Sequence, residues 1–216
     1  MTADRLPATG GGDRVPDAHF ERRYQADPDP WRLEHRWYER RKRALTMAAL
    51  TRRRYRRAFE PGCALGLLTE LLATRCDELI AVDAASSAVA AAARRVADRP
   101  NIRLEVMAVP DAWPEGLFDL IVLSELGYYL ERSGVAALGD MVAARLTADG
   151  ELLAVHYRPD TGEHRTNGDV VHEVLAAARG LTRVVHHVDA QFLLDVFRRT
   201  EGPTVAVGAP GRRAAS

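Results

Sequence analysis

The sequence is poor in several features that define common protein classes. It has only two cysteines in 216 residues, too few for a disulfide framework or for a zinc site made of cysteine alone. No apolar run reaches the roughly 18 residues that a membrane-spanning helix needs. Thirty basic side chains balance thirty acidic ones, so the global charge of a dedicated nucleic-acid binder is also missing. Lys42 is the single lysine, which we interpret as a coding bias towards arginine.

The two ends of the chain differ in composition from its body. Residues 1–16 and 201–216 are rich in Gly, Pro, Ala and Arg without apolar periodicity, which predicts flexible tails. The N-terminal stretch lacks the apolar centre of a signal peptide, so we expect a cytoplasmic protein. Residues 17–200 are predicted to form one domain, with a helical cap over 17–54 and an α/β core over 55–200.

Apolar or β-branched runs alternate with helical stretches along the body of the chain. This alternation predicts a mostly parallel sheet covered on both faces, the doubly wound α/β class. The predicted strands are 55–60, 78–83, 102–107, 118–123, 150–156, 182–189 and 191–199. The predicted helices are 37–50, 67–75, 86–97 with Ser86 as its N-cap, 134–146 and 168–178.

The most informative segment is 59–66, where the acidic residue Glu60 ends a strand and small residues follow at every second position. Side chains larger than those of Gly62, Ala64 and Gly66 would block a ligand lying across the carboxyl end of the strand. These small residues therefore predict the close approach of a ligand. A tight turn between strand and helix, without a ligand, is the alternative.

A second acid, Asp83, ends the next strand about 20 residues later, a separation typical of a ribose-binding carboxylate. The alternative is an aspartate that begins a turn or caps the following helix. Glu60 and Asp83 together favour a nucleoside ligand. The glycine spacing differs from the G-x-G-x-x-G of dinucleotide sites, and a Tyr-x-x-x-Lys pair is missing, so a nicotinamide oxidoreductase is disfavoured.

The pattern Glu60-x-Gly62-x-Ala64-x-Gly66 resembles motif I of class I S-adenosylmethionine-dependent methyltransferases, and Asp83 resembles their ribose-binding acid. Over roughly residues 19–200 the chain resembles the NodS-like branch of this family. The segments that carry the resemblance are 27–31 (DPDPW), 37–42 (WYERRK), 124–130 (SELGYYL), 168–173 (GDVVHE) and 192–197 (FLLDVF). The resemblance implies a Rossmann-like fold with an antiparallel strand near the C-terminus, and S-adenosylmethionine as the cofactor.

The sequence departs from the family pattern at two places. Ala64 stands where the family usually has glycine, and its methyl group narrows the turn. The stretch after the third strand, with Ala108, lacks the acid that the family directs towards the adenine amine. We therefore expect Met107 and Val109 to contribute apolar contacts to the adenine.

The resemblance also implies cofactor contacts from outside the motif. Trp31, Tyr38 and Arg41 match a segment that folds over the cofactor, where a cation could meet the methionine carboxylate and an aromatic ring the sulfonium or adenine. A basic amphipathic helix on the surface is the alternative. Ala84, after Asp83, and Ser124, at the end of the fourth strand, complete the predicted set.

Methyl transfer to an amine requires alignment and the removal of a proton, so a general base near the acceptor is expected. Glu125 and Tyr128 follow the fourth strand at the carboxyl edge of the sheet, where open α/β sheets bind ligands, and we rank them first as catalytic residues. His172, on a helix that the resemblance places over the substrate, is next. His156 and Glu173 are weaker candidates. Each of these residues has a structural alternative, as a packing or surface side chain.

Neither a metal ion nor a nucleic acid is an expected partner. His186 and His187 would point to opposite faces of a strand, which is poor for joint ligation. Residues 32–57 hold eleven basic side chains against two acidic ones, a pattern that suits an anionic substrate or RNA but is more typical of a solvated face. No aromatic RNA-binding signature accompanies it.

The sequence thus predicts an S-adenosylmethionine-dependent methyltransferase that acts on a small polar molecule. NodS proteins N-methylate the free amine of a glucosamine-containing oligosaccharide, so the resemblance implies an amine on an amino sugar or oligosaccharide. An O-methyltransferase of another small metabolite is the alternative within the class. A non-catalytic protein that keeps the fold is the alternative outside it.

Overall fold

The computed structural model describes residues 14–159 and 161–200. In chain order the strands are β1 (Tyr55–Pro61), β2 (Cys76–Asp83), β3 (Ile102–Val106), β4 (Phe118–Ser124), β5 (Leu146–Tyr157), β6 (Leu181–Val188) and β7 (Phe192–Arg199). The helices are α1 (Asp17–Ala26), α2 (Trp37–Ala49), α3 (Leu67–Ala73), α4 (Ser86–Arg95), α5 (Arg132–Arg145) and α6 (Gly168–Ala176), with a 3₁₀ turn at Gly127–Tyr129. Within the described part of the chain, no helix has the length and apolar content that crossing a bilayer requires.

All seven strands join one sheet in the order β3-β2-β1-β4-β5-β7-β6. Strands β1 to β5 run parallel, whereas β7 is antiparallel to both of its neighbours. The predicted fold class, a doubly wound and mostly parallel sheet with an antiparallel strand near the C-terminus, is confirmed. Chain order reverses between β1 and β4, and ligands of open α/β sheets bind at the carboxyl ends of the strands beside such a reversal.

The central strands are apolar because both faces of the sheet are covered. On one face, Phe59 of β1 and Ile121 of β4 pack in a cluster with residues of α5 and α6. On the other face, their chain neighbours Ala58 and Leu120 pack in a cluster with residues of α3. Successive side chains of a strand point to opposite faces, so a strand that is buried on both sides needs a continuous apolar run.

The N-terminus of α4 differs from the prediction. Ala85, not Ser86, is the N-cap, and it makes no side-chain capping bond. Glu21 of α1 accepts hydrogen bonds from the Ser86 hydroxyl and from the Ser87 N–H, both at 3.2 Å. Hydrogen bonds from Ser87, more than any other group, hold the pKa of Glu21 below its ordinary value. A carboxylate from another helix therefore does what a local cap was expected to do.

The predicted tails lie mostly outside the described residues, which exclude 1–13 and 201–216. The prediction of a flexible tail up to residue 16 is wrong for residues 14–16. Val15 is only 1% exposed, and its N–H donates to the carbonyl of Tyr129 at 2.9 Å. Arg14 forms an isolated β-bridge with Leu130. These residues lead directly into α1, which packs Tyr24 against Leu65 and the start of α4.

Candidate active site

A cavity of about 580 Å³ opens at the carboxyl ends of β1, β2 and β4, within the usual size range of small-molecule sites. Most of the predicted site residues line it. They are Trp31, Tyr38, Glu60, Gly62, Ala64, Asp83, Ala84, Met107, Val109, Ser124, Glu125 and Tyr128. Three predicted residues, Gly66, Arg41 and His172, do not line it. Helices α1 and α2 form one wall, and the chain between β5 and α6 forms another.

The turn between β1 and α3 has three residues in the left-handed region, at φ values of 77° (Gly62), 50° (Ala64) and 76° (Gly66). Ala64 holds this conformation although it has a side chain, at an expected cost of about 1–2 kcal/mol. Gly66 serves packing and not ligand approach, which corrects the prediction. A Cβ at this position would lie 3.0 Å from the Cβ of Ala92, so glycine lets α3 pack against α4.

Asp83 joins this turn to the start of α4. Its Oδ2 accepts a hydrogen bond from the Ala64 N–H at 3.0 Å, and its Oδ1 accepts one from the Ala85 N–H at 2.9 Å. Burial raises the pKa of Asp83 to about 6 in spite of these two bonds. A carboxylate has about four acceptor positions, so Asp83 can still accept bonds from hydroxyl groups in the cavity.

Glu60 is a buried acid at the base of the same cavity. Its side chain is 1% exposed, and among the described residues its Oε2 has no hydrogen-bond partner. Burial raises the pKa of Glu60 to about 8. A buried carboxyl oxygen without a partner is costly, and a donor or cation in the cavity would remove that cost.

The side of the predicted adenine site does carry an acid, but from α1. Met107 and Val109 line the cavity there as predicted, and Asp17 lines it beside them. Arg14 donates to Asp17 at 2.9 Å and, in a longer contact of 3.4 Å, to the carbonyl of Val109. Residues 106–110 lack an acid, and the N-terminal helix brings one to the same region.

A second group of charges in the cavity lining surrounds Glu125. Glu125 has a left-handed backbone with φ of 56°. Its Oε2 accepts from the Tyr128 hydroxyl and from the Tyr157 N–H, the latter at 3.0 Å, and its Oε1 accepts from the Lys42 ammonium. Lys42 also pairs with Glu39 at 3.0 Å. We call Glu39, Lys42, Glu125 and Tyr128 the Glu125 cluster.

The Glu125 cluster holds a charged lysine in a buried place. Lys42 is 3% exposed, and burial would lower its pKa, but Glu125 and Glu39 outweigh burial and raise it. Burial is also the main reason why the pKa of Glu39 is raised. Arg43 also lies 3.9 Å from Glu39, so two cations stand close to the two carboxylates of the cluster. The carboxylate oxygens of Glu39 and Glu125 can accept hydrogen bonds from a donor or cation in the cavity.

Sequence reasoning missed several cavity-lining residues in and around the Glu125 cluster. Glu39, Lys42, Tyr129, Tyr157, Glu163 and His164 line the cavity without having been predicted. The one available signal was Lys42 itself, a single lysine among many arginines, three residues after an acid on a predicted helix. His164 stacks on Tyr128 with ring centroids 3.8 Å apart, and Glu163 pairs with Arg23 of α1. These contacts join segments that are distant in sequence, so no local sequence pattern predicts them.

Arg41 points away from the cavity, which corrects its predicted contact with the cofactor. Its guanidinium pairs with Asp189 at 2.7 Å and lies 5.7 Å from the centre of the Phe192 ring. Arg36 and Arg43 line the cavity in its place. Residues two apart on a helix face nearly opposite directions, so a cation at 43 can reach the cavity when one at 41 cannot.

His172 is 2% exposed and lies outside the cavity lining. Its ring nitrogens lie 3.1 Å from Nδ1 of His156 and 2.8 Å from Oδ2 of Asp195. Its predicted catalytic role, which requires contact with the acceptor, is therefore corrected. Glu173 is exposed and pairs with Arg132 at 2.8 Å.

The basic segment 32–57 is divided between two places. Its first half includes the cavity-lining cations of α2, whereas its second half lies at the amino end of β1, where Arg54 and Arg57 pair with Asp77 and Glu78 of β2. It does not form one surface for an anionic polymer. In the described ranges, no group of three or more His, Cys, Asp or Glu side chains could hold a metal ion.

The sequence model of the family described as Nodulation protein S (NodS) matches residues 16–185. The chain belongs to the NodS family. A nodulation protein S from Rhizobium tropici is 36% identical over 129 residues, which are 59% of this chain and 50% of that protein. One from Sinorhizobium fredii is 34% identical over 60% of this chain and 63% of its own length. The chain thus aligns with about half to two thirds of these curated relatives.

Solved structures agree with this membership of the NodS family. The N-methyltransferase NodS of Bradyrhizobium japonicum, crystallised with S-adenosylhomocysteine, is 28% identical with a TM-score of 0.76, over 87% of this chain and all of that one. A Pseudomonas syringae protein assigned as a methyltransferase is 48% identical with a TM-score of 0.67, over 76% of this chain and all of that one. The predicted family is confirmed.

Proposed function

We propose that this member of the NodS family is an S-adenosylmethionine-dependent methyltransferase that methylates an amine on a small molecule, an amino sugar or oligosaccharide. The observation that carries the proposal is a single cavity bounded by two different sites. Its lining includes Glu60, Asp83 and residues of the β1–α3 turn, and it also includes the Glu125 cluster. The S-adenosylhomocysteine bound to the NodS of Bradyrhizobium japonicum supports the choice of cofactor.

The residues of the β1–α3 turn fit this cofactor. Asp83 can accept bonds from ribose hydroxyls, and the buried Oε2 of Glu60 needs a donor or cation. Gly62 has no side chain to obstruct the cavity. A Cβ at this position would lie 3.2 Å from Leu126, which also lines the cavity. We assign the methionine carboxylate to Arg36 or Arg43 and the adenine to Met107, Val109 and Asp17. When bound, the cofactor supplies an electrophilic methyl group on a positively charged sulfur.

The Glu125 cluster would orient the acceptor and take up its proton. The acceptor amine attacks through its lone pair, so it must enter uncharged or lose a proton, and the methylated nitrogen must lose one afterwards. Burial holds the pKa of Tyr128 well above its ordinary value, so the phenol stays protonated and cannot be the base by itself. As it takes the amine proton, Tyr128 passes its own proton to Glu125 through their existing hydrogen bond. Glu39 and Glu125 stabilise the positive charge on nitrogen in the meantime.

The proposed acceptor, an amine, is supported by the charge change that methylation causes and by membership of the NodS family. An amine becomes positively charged when it is methylated, and the nearby carboxylates of Glu39 and Glu125 would favour that change over methylation of a hydroxyl. The walls of tyrosine and histidine suit the apolar face of a sugar ring. Residues 17–200 as a single methyltransferase domain, with 17–54 as its cap, and a cytoplasmic location remain part of the same proposal.

Calorimetric titration with S-adenosylhomocysteine tests the cofactor site. We expect micromolar binding, and about 10- to 100-fold weaker binding for Asp83→Ala, because a buried acceptor of hydrogen bonds is removed. Asp98→Ala, which removes an aspartate with an 80% exposed side chain, should bind like the wild type. Failure of the wild type to bind would contradict the enzyme proposal and favour a non-catalytic protein with this fold.

A screen of acceptors tests the second half of the proposal. Glucosamine and its oligosaccharides are compared with their N-acetylated forms, which keep the hydroxyl groups but have no free amine. Methyl transfer to the free amines alone is expected. Equal transfer to the N-acetylated sugars would identify an O-methyltransferase.

A further inference from the structure

Four polar side chains form a continuous hydrogen-bonded chain from the outer strand β6 to the turn beneath the cavity. Nδ1 of His186 lies 2.6 Å from Oδ1 of Asp195, whose Oδ2 lies 2.8 Å from Nδ1 of His172. Nε2 of His172 lies 3.1 Å from Nδ1 of His156, and Nε2 of His156 lies 3.0 Å from the amide nitrogen of Gly127. We call these four side chains the histidine chain.

The inner members of the histidine chain are buried and come from three elements. His156 of β5 and Asp195 of β7 are fully buried, and His172 of α6 is 2% exposed. None of them lines the cavity, so none can touch an acceptor. Buried polar side chains are costly unless each finds a partner, and here each bonds to the next.

The hydrogen bond between His156 and Gly127 shows where the protons of the histidine chain lie. A backbone N–H can only donate, so Nε2 of His156 must be the acceptor and its Nδ1 must carry the proton. That proton bonds to Nε2 of His172, which places the His172 proton on Nδ1, facing Asp195. Burial holds the pKa of His156 well below its ordinary value, so this ring stays neutral. The amide of Gly127 cannot take up a proton, and the chain therefore cannot deliver protons to the cavity.

The histidine chain can instead hold the backbone of the Gly127–Tyr129 turn in place. Gly127 begins the 3₁₀ turn that carries Tyr128, and it follows Glu125 by two residues. The turn is pressed against α6, since a Cβ at Gly127 would lie 2.6 Å from Cγ1 of Val171. The left-handed backbone of Glu125 is unfavourable, and it persists only where surrounding contacts hold it. The bond from the Gly127 N–H to His156 is one such contact.

We propose that His156, His172 and Asp195 are positioning residues, which fix the Gly127–Tyr129 turn and thereby keep Glu125 and Tyr128 aligned for methyl transfer. The inference rests on the function proposed above. Asp195 orients His172, His172 selects the tautomer of His156, and His156 presents an acceptor to Gly127. His186, at the exposed end, only shields Asp195.

The first test reads the tautomers without any acceptor. Protein labelled with ¹⁵N at histidine is studied by NMR, with the signals assigned by His156→Gln and His172→Gln. Both rings are expected in the neutral form with the proton on Nδ1, which is the less common form of free histidine. A proton on Nε2 of His156 would overturn the inference, because Gly127 would then face a donor.

The second test uses a matched pair of variants at one position. His156→Leu leaves the Gly127 N–H without a partner, whereas His156→Gln places an amide oxygen near the former Nε2. With glucosamine oligosaccharide as the acceptor, we expect kcat to fall about 10- to 100-fold in the leucine variant, with most of the loss recovered in the glutamine variant. Binding of S-adenosylhomocysteine should stay within about threefold in both, because the β1–α3 turn is untouched. His187→Leu, a neighbouring histidine outside the chain, should leave kcat unchanged.

The outcomes separate the two proposals. If His156→Leu lowers the melting temperature but leaves kcat unchanged, the chain is merely structural and the positioning role is wrong. Equal loss of cofactor binding and of kcat would also contradict it, since the whole cavity would then be disturbed. Lack of turnover by the wild type, with the expected tautomers in place, would count against the proposed function and not against the geometry of the chain.

Discussion

The two sides of the cavity are built in different ways. The part proposed to hold the cofactor consists of a turn and an acid at the ends of two neighbouring strands, and backbone N–H groups hold the acid in place. The part proposed to hold the acceptor is assembled from side chains of α2, the β4–α5 connection, β5 and the chain before α6. The first needs only local sequence in a parallel sheet, whereas the second needs the complete tertiary structure. Substitutions should therefore separate cofactor binding from turnover.

Lys42→Met should have the largest effect, on stability as well as on turnover. It leaves the buried carboxylate of Glu39 and the half-buried carboxylate of Glu125 without their common cation, and breaking a buried ion pair in this way costs about 3–5 kcal/mol. Chemical denaturation measures the free energy of unfolding. Arg40→Met removes an exposed cation from the same helix and should cost less than about 0.5 kcal/mol. Similar losses in both variants would mean that the ion pairs of the cluster are weak.

Glu125→Gln should separate the two sides of the cavity most clearly. An amide cannot take up the acceptor proton, so kcat should fall about 100-fold or more. Binding of S-adenosylhomocysteine, measured by calorimetry, should change less than about threefold. The matched control is Glu173→Gln, which neutralises an exposed glutamate and should leave both quantities unchanged. A parallel loss of cofactor affinity in Glu125→Gln would show that the two sides are not independent.

Glu60 should make the stability of the cofactor-free protein depend on pH. Its folded pKa of about 8 exceeds the ordinary value of 4.5, so between these pH values the folded chain keeps a proton that the unfolded chain releases. The free energy of unfolding should therefore fall as pH rises from about 5 to 8, by about 1 kcal/mol per pH unit. Glu60→Gln carries no titrating proton and should lack this contribution. Denaturation curves of both proteins across this pH range provide the measurement, and identical slopes would refute the assignment.

Ala64→Gly should have the smallest effect and the opposite sign. Glycine relieves the left-handed backbone at φ of 50° but gains entropy in the unfolded chain, so the net stabilisation should be at most about 1 kcal/mol. Ala84→Gly, also in the cavity lining but at an ordinary φ, should destabilise the protein. A loss of stability in Ala64→Gly would mean that the methyl group packs favourably in the turn.

Local patterns were sufficient to place single side chains at the ends of their own strands. Glu60 and Asp83 were recognisable because acids at the ends of adjacent parallel strands meet at one edge. The spacing of small residues located the turn, but it could not show that Gly66 faces Ala92 and not the cavity. The predicted contact of Arg41 with the cofactor was wrong for a related reason. The motif 37–42 places a cation on α2, but the rotation of the helix decides which cation faces the ligand.

The roles of the buried charges could not be deduced in this way. Lys42 was interpreted as a coding bias and His172 as a catalytic base. Both interpretations considered the residue without the side chains that contact it in the folded protein. The sequence separation between Lys42 and Glu125, or between His156, His172 and Asp195, spans several elements. Their protonation and function follow from the partners that burial imposes on them.

By itself, the sequence determined the alternation of strands and helices, the parallel sheet and the edge at which a nucleoside would bind. It could do so because the sheet requires continuous apolar runs, and the turn requires small residues, at positions that are consecutive in the chain. Only the tertiary structure decided which charged side chains meet inside the cavity and which lie behind it. Electrostatic and hydrogen-bond energies depend on distance and burial, and these are properties of the folded chain.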